Sequence, residues 1–510
     1  MFETNILSFI IFTPLAGAII LLLIRNEKLV KSVSILFAAI TFAFSVALYF
    51  LFDVSKPGFQ FVEYVPWIKS LNIGYHLGID GISLLLIVLT TFLTLIALIA
   101  SWSSINKRIT SFNFFVLLLE VGMLGVFSSL DLFLFYIFWE AMLVPMYFII
   151  GIWGHERRVY AAVKFFLYTM VGSLLMLVAI IWLGYYASTL PGGTFTTNLV
   201  ELYQIAPTIP LSIQVWMFLA FTLSFAIKVP IFPLHTWLPD AHTEAPMAGS
   251  VLLAGVLLKM GTYGLLRFSL PLFPQAAFEF LPFMAILGIV GIIYGAFVSM
   301  VQKDIKKLVA YSSVAHLGFV VLGIFALTVT SVQGSVIQMV NHGLTTGALF
   351  LLVGMLYDRR HTRLISDFGG LAKSVPIMAT FFMIAMLGSV GLPGLNGFVG
   401  EFMILLGSFK SQFLGSPAYA IVATSGVILA AVYLLWMYQR VFFKKLDKPE
   451  NEKMKDLNGR DIAVLAAMVV FIVWIGVHPM TFLSKSEPAV KALVSTMTKA
   501  RVGGISALQR

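Results

Sequence analysis

The stretch S-F-A-I-K-V-P-I-F-P-L-H-T-W-L-P-D-A-H-T-E-A-P, residues 224–246, decides what kind of molecule this is. It lies between two long apolar runs, yet it holds Lys228, His235, Asp240, His242 and Glu244 among four prolines. Proline removes a backbone donor and clashes with the preceding turn, so the apolar run ending near Lys228 must break there. In a soluble protein this would be an ordinary loop. The surrounding composition makes it something else.

The chain has 510 residues, of which 60% are hydrophobic and 11% charged, with a mean hydropathy of +0.97. Soluble domains carry about 25% charged residues. Apolar runs of about 20 residues, enough to cross a bilayer as a helix, recur about fourteen times. They are too long, and alternate too little, for barrel strands. The expected fold is therefore an all-α polytopic membrane protein. The first span is not read as a cleaved signal peptide, because Glu3 stands where a basic segment is needed. There is no cysteine, which excludes disulfides and any all-cysteine iron–sulfur cluster. The net charge of +10 follows the membrane rather than nucleic acid. Basic residues gather in alternate connections, such as Arg157 and Arg158, Arg359 to Lys373, and Arg440 to Arg460. By the positive-inside rule these connections face inward and both termini face outward.

Two lysines fit neither side. Lys228 and Lys259 lie within apolar spans, as do Glu120, Glu140 and Glu401, with His316 and His342 in similar surroundings. A charge at the bilayer centre costs about 2.5–3.5 kcal/mol on insertion scales, so such residues pair, face water or exchange protons. A static packing ion pair is the bland reading. It suits Glu120 alone better than Glu140, Lys228, Lys259 and Glu401 together, because these alternate in sign on different helices, as a relay does. For the two histidines, a neutral imidazole satisfied by Ser312, Ser313 or Asn341 is an equal alternative.

A second break is expected in G-S-V-G-L-P-G-L-N-G-F-V-G-E-F, residues 388–402, just before Glu401. Lys228 and Glu401 are separated by five spans, and so are Glu140 and His316. An odd number of spans reverses orientation. The reading is of two inverted five-helix repeats with discontinuous helices 7 and 12. Residues 1–111 hold helices 1–3, and 112–270 the first repeat. Residues 271–445 hold the second repeat, and 446–510 an inside loop, helix 14 and an outside tail. Between spans 7 and 8, His235, Asp240, His242 and Glu244 could suggest a metal site, but their spacing matches no usual zinc pattern. They read better as a proline-stiffened connector that admits water from inside, its histidines acting as hydrogen-bonding groups. The carbonyls freed at the end of helix 7 are expected to bind water beside Lys228.

F-A-I-K-V-P-I-F-P-L-H-T-W-L-P-D-A-H-T-E-A-P (225–246) resembles the signature of the antiporter-like subunits of proton-pumping NADH:quinone oxidoreductase, respiratory complex I. The resemblance runs through G-I-D-G-I-S-L-L-L (78–86), Y-I-F-W-E-A-M-L-V-P-M-Y-F-I-I-G-I-W-G (136–154), Q-K-D-I-K-K-L-V-A-Y-S-S-V-A-H-L-G-F (302–319) and G-L-P-G-L-N-G-F-V-G-E-F (391–402). Glutamate at 401, fourteen spans and no long C-terminal lateral helix make it most similar to the M-type branch. The resemblance implies that Glu140 and Lys228 form a charge pair and that Lys259 is the central lysine. It also implies that His316 and His342 are polar linkers and Glu401 the terminal group of proton translocation. It further implies no cofactor in this chain. Flavin mononucleotide, iron–sulfur clusters and quinone belong to partner subunits, with sister antiporter-like subunits on both sides in a bacterial inner membrane. Other readings are a subunit of a multisubunit cation/proton antiporter, a b-type haem protein ligated by His316 and His342, and a membrane scaffold.

Overall fold

The computed structural model describes residues 5–56 and 58–508; Glu3 and Arg510 lie outside them. Among the described residues, twelve helices are long and apolar enough to cross a membrane. The shorter helix Ile6–Leu21 and the broken pair Pro376–Val390 and Asn396–Phe409 are two further apolar crossings, so the expected fourteen spans are present in order.

The connections sort onto two faces. On the basic face Arg363 pairs with Asp304 at 3.3 Å and Arg359 with Asp461 at 2.8 Å. There Lys31 also donates to the carbonyls of Trp102 and Ile105. On the opposite face Arg267 pairs with Asp80 at 2.6 Å, beneath two elements that hydropathy did not reveal. One is an antiparallel hairpin, Gln60–Ile68 with Ile73–Ile79. Its Glu63 carboxylate accepts from the backbone N–H groups of Leu7 and Ser8, closing the free donors at the start of the first span. The other is the helix Met480–Leu508, which turns the expected tail into a 29-residue element laid against the third, ninth and eleventh spans. Gly81 has no room for a side chain beside the Lys485 carbonyl of that helix.

Enclosure differs sharply between spans. The eighth span (Met247–Leu272) is buried along its whole apolar stretch, and the tenth (Ile305–Phe325) and eleventh (Val329–Arg360) over 94% of theirs. The second (Glu27–Leu51) and fourteenth (Gly459–Val477) reach only 28% and 33%, and present Leu36, Phe50 and Val470 outward. Ionisable groups at membrane depth are costly against lipid, and the spans that carry Lys259, His316 and His342 sit inside.

Several spans are irregular. The seventh (Leu211–Lys228) stops at Lys228, followed by Pro230, Pro233 and the short helix Trp237–Glu244. The twelfth is interrupted between Val390 and Asn396, where Gly391 (φ 86°) and Gly394 (φ 91°) take the left-handed backbone that glycine tolerates. The eighth carries π-helical turns at Leu253–Leu257 and Leu265–Ser269, on either side of Lys259. A Cβ at Gly261 would stand 2.7 Å from the Phe225 carbonyl and 2.9 Å from the Val229 nitrogen, so this glycine seats the eighth span against the broken end of the seventh.

Candidate functional site

Lys228 is the last residue of the seventh span and is fully buried. Its Nζ lies 3.7 Å from the Met142 sulfur and over the rings of Trp139 and Phe165, at 5.3 and 5.2 Å. Two helix-end carbonyls beside it are taken by protein donors: Trp237 Nε1 donates to Ile227, and the Ile231 N–H to Ala226. The prolines fold the connector back onto the helix it has left. The fifth span breaks at Met142, directly after the helix Leu132–Ala141 that carries Glu140. Ser173 and Tyr136 lie beside the Glu140 carboxylate, and Lys228 is near enough to interact with it electrostatically. Among the described residues, however, no ion pair joins Glu140 and Lys228. The expected charge pair is a neighbourhood rather than a contact, since Trp139, Met142 and Phe165 surround the ammonium with apolar surface.

The other half of the site is two contacting pairs whose histidine rings lie side by side. The π turn before Lys259 leaves the Ala254 carbonyl facing the lysine, which donates to it and, at 2.6 Å, to Nδ1 of His342 on the eleventh span. The rings of His342 and His316 are 5.9 Å apart. His316, on the tenth span, contacts Glu401 Oε1 through Nδ1 at 3.0 Å, and Ser389 Oγ through Nε2 at 3.0 Å. Gln338 Nε2 also donates to Glu401, at 3.2 Å. Asn341 holds Gln338 in place and reaches the Asn396 carbonyl at 2.7 Å, so the twelfth-span break is tied into the same network. Lys259, His342, His316 and Glu401 thus form an ordered succession of titratable groups across four spans, all nearly inaccessible to solvent.

The structure corrects several sequence expectations. Ser312 and Ser313 do not satisfy His316; their hydroxyls bond the Val309 carbonyl of their own helix. Both nitrogens of His316 are engaged, so it presents no free lone pair for a haem iron. Glu120 is fully buried with neither oxygen partnered and stands apart from the succession. Among the described residues no group of three His, Asp or Glu is placed to hold a metal ion. In the connector, Asp240 pairs with Lys164 at 2.7 Å and Glu244 accepts from the Arg157 N–H. The His242 side chain makes no hydrogen bond at all, contrary to its expected role. Sequence reasoning passed over Gln338, Ser389 and Lys306. The first two are polar residues within apolar runs, the same signal that marked the glutamates; Lys306 stands at the start of the tenth span, where a basic residue reads as an ordinary end charge.

Residues 129–427 match the family described as NADH:quinone oxidoreductase/Mrp antiporter, transmembrane. The NADH-quinone oxidoreductase subunit M of Rhodobacter capsulatus is 46% identical over 507 residues, covering 96% of each chain. A chain of respiratory complex I from Thermus thermophilus superposes with a TM-score of 0.87 at 31% identity, covering 96% of this chain and 99% of that one. A chain of the Mrp complex from Dietzia shares the fold alone, with a TM-score of 0.84 at 20% identity over 98% and 99% of the two chains. With its broken seventh and twelfth spans and its buried succession of lysine, histidines and glutamate, the chain belongs to the NADH-quinone oxidoreductase subunit M family.

Proposed function

We propose that the chain is a proton-translocating membrane-arm subunit, driven by quinone reduction elsewhere in a complex. Flavin mononucleotide, iron–sulfur clusters and quinone are held by partner subunits, and sister antiporter-like subunits flank this one. The basic face is the inside of a bacterial inner membrane, and the hairpin and terminal helix are outside. Residues 112–270 and 271–445 act as inverted units. In the first, an acid on the fifth span neighbours a base at the broken seventh. In the second, a base on the tenth touches an acid at the broken twelfth. Lys259 is the central carrier, His342 and His316 pass its proton on, and Glu401 releases it outside. Glu140 and Lys228 set the charge that Lys259 experiences; Glu120 stands outside this route.

The observation that carries this reading is the succession of two contacting pairs, Lys259 with His342 at 2.6 Å and His316 with Glu401 at 3.0 Å, whose histidine rings lie 5.9 Å apart between centroids. Each member can bind and release a proton, and the members stand on four different spans. The test is proton uptake into inverted vesicles alongside NADH oxidation, with assembly followed on blue-native gels. Lys259→Met removes the titratable group and keeps the length. Loss of this chain's pumping in an assembled complex is the expected result. A normal ratio of protons to electrons would sink the proposal, and sodium-dependent uptake would favour cation/proton antiport instead. Co-purification in mild detergent with flavin and iron–sulfur subunits checks the partners.

A further inference from the structure

His316 joins the two halves of the broken twelfth span. Its Nε2 lies 3.0 Å from Ser389 Oγ, one residue before the end of the first half (Pro376–Val390). Its Nδ1 lies 3.0 Å from Oε1 of Glu401, in the second half (Asn396–Phe409). The halves pack closely enough for one imidazole to reach both, because Gly397 has no room for a side chain beside the Gly388 carbonyl, next to Ser389. The same geometry divides the carboxylate. Oε1 takes His316 and Gln338, whereas Oε2 faces the break, where a Cβ on Gly391 would stand 3.0 Å from it. His316, Ser389 and Glu401 are all buried.

The Ser389 hydroxyl is committed to this bridge. A serine or threonine inside a helix commonly returns its hydroxyl to a carbonyl about one turn back. Ser312 and Ser313 do so at Val309, and Thr345 at Asn341. Among the described residues, the Ser389 hydroxyl makes its one hydrogen bond to His316 instead. A hydroxyl can both donate and accept, and a carboxylate only accepts. With Glu401 ionised and the ring neutral, the ring hydrogen therefore sits on Nδ1, and the Ser389 O–H donates to Nε2. With both ring nitrogens protonated, the same hydroxyl turns and accepts from Nε2–H. Neither state leaves a buried ring nitrogen without a partner, a condition that is costly inside a protein.

We propose that Ser389 is a positioning residue for proton release: it holds the His316 ring with Nδ1 toward Glu401 and serves Nε2 in both protonation states of the ring. A proton that reaches His316 binds Nε2, since Nδ1 is covered by Glu401. The Nδ1–H bond then breaks as an O–H bond forms on Oε1. Glu401 is left a neutral acid, and His316 is neutral with its hydrogen on Nε2, bonded to Ser389 Oγ. Glu401 loses its proton into the break. The ring hydrogen returns from Nε2 to Nδ1, and the hydroxyl turns back to donate. This inference rests on Glu401 being the group that releases the proton.

The experiment measures proton uptake alongside NADH oxidation in inverted vesicles of assembled complex. Ser389→Ala removes one oxygen and keeps the helix. Uptake and oxidation should fall together by roughly two- to tenfold, the factor that one neutral hydrogen bond represents. Ser389→Thr keeps the hydroxyl and adds a methyl group, and should retain more of both than alanine does. A packing role gives the opposite order, because alanine crowds its neighbours less than threonine. In a Glu401→Gln background, Ser389→Ala should cost nothing further, since no carboxylate is left to receive the ring proton. A wild-type rate in Ser389→Ala, alanine above threonine, or the full additional loss beside Glu401→Gln overturns the positioning role. If Ser389→Ala does not assemble, Ser389→Cys takes its place. Its thiol is a weak donor and acceptor, so it should fall below threonine; cysteine at or above threonine overturns the role likewise. Glu401→Gln separates the two failures. If it lowers uptake while Ser389→Ala does not, only the positioning role is wrong; if it leaves uptake unchanged, the release reading fails.

Discussion

Glu401 and Glu140 show how the same residue type is set to different work by its surroundings. Glu401 is pinned by His316 and Gln338, so an amide at 401 keeps much of the hydrogen bonding and loses only the proton. Glu401→Gln is expected to lower proton uptake and NADH oxidation together, by about tenfold or more, because proton-transfer groups contribute on that scale. An assembled variant with unchanged rate and ratio would show that the carboxylate is a static partner of His316. Glu140 lies among Tyr136, Ser173 and the Lys228 field. Glu140→Gln should reduce pumping strongly and Glu140→Asp in part, read in the same vesicles. Outside the spans, burial beside Lys306 and Arg363 pushes His155 down from 6.5 to about 4. Between these values the unfolded chain binds more protons than the folded one, so stability is full above 6.5 and falls as pH drops toward 4. His155→Gln should flatten that fall, measured as the thermal midpoint of the solubilised complex at pH about 7 and about 5.

At the scale of elements, the chemistry depends on helices that stop or bulge where a side chain needs a place. The break in the seventh span was legible because proline has no amide hydrogen, and the twelfth-span break because glycines flank Pro393. The π turns of the eighth span were not legible. They insert no proline, the first is apolar throughout, and they lie against the third, seventh and eleventh spans. Gly261→Val tests that packing: its Cβ would collide with the backbone of Phe225 and Val229 as well as with the Val229 side chain. A loss of at least about 1–3 kcal/mol is expected from overpacking, seen as less assembled complex on blue-native gels. The hairpin makes a milder case. Glu63→Gln keeps the shape but weakens a charge-assisted cap on Leu7 and Ser8, for an expected loss of about 1 kcal/mol, seen as a lower thermal midpoint with pumping per electron unchanged.

Across the whole molecule, the two units oppose each other in sign. Acid then base stands near the first break, base then acid near the second, with Lys259 between them. The second and fourteenth spans turn broad apolar faces outward, while the eighth, tenth and eleventh, which bear Lys259, His316 and His342, are enclosed. On the proposed route a proton passes between Lys259, the two histidines and Glu401, so a single non-titrating substitution among them should stop pumping while leaving the fold intact. Assembly should therefore remain normal across Lys259→Met and Glu401→Gln, even where pumping is lost.

Hydropathy alone determined the class, the fourteen crossings and their order, because an apolar run of sufficient length has no other stable home than the bilayer. It also marked Glu140, Lys228, Lys259, His316, His342 and Glu401, since polar groups stand out against an apolar background. What it could not determine is which of them touch. Lys259 meets His342 and His316 meets Glu401 across more than eighty positions of chain, whereas Glu140 and Lys228, expected to pair, are kept from an ion pair by Met142, Trp139 and Phe165. Contact at that range is set by how helices pack and where their backbones bulge. Packing is a property of facing surfaces, and a linear pattern of hydropathy carries no information about which surfaces face one another.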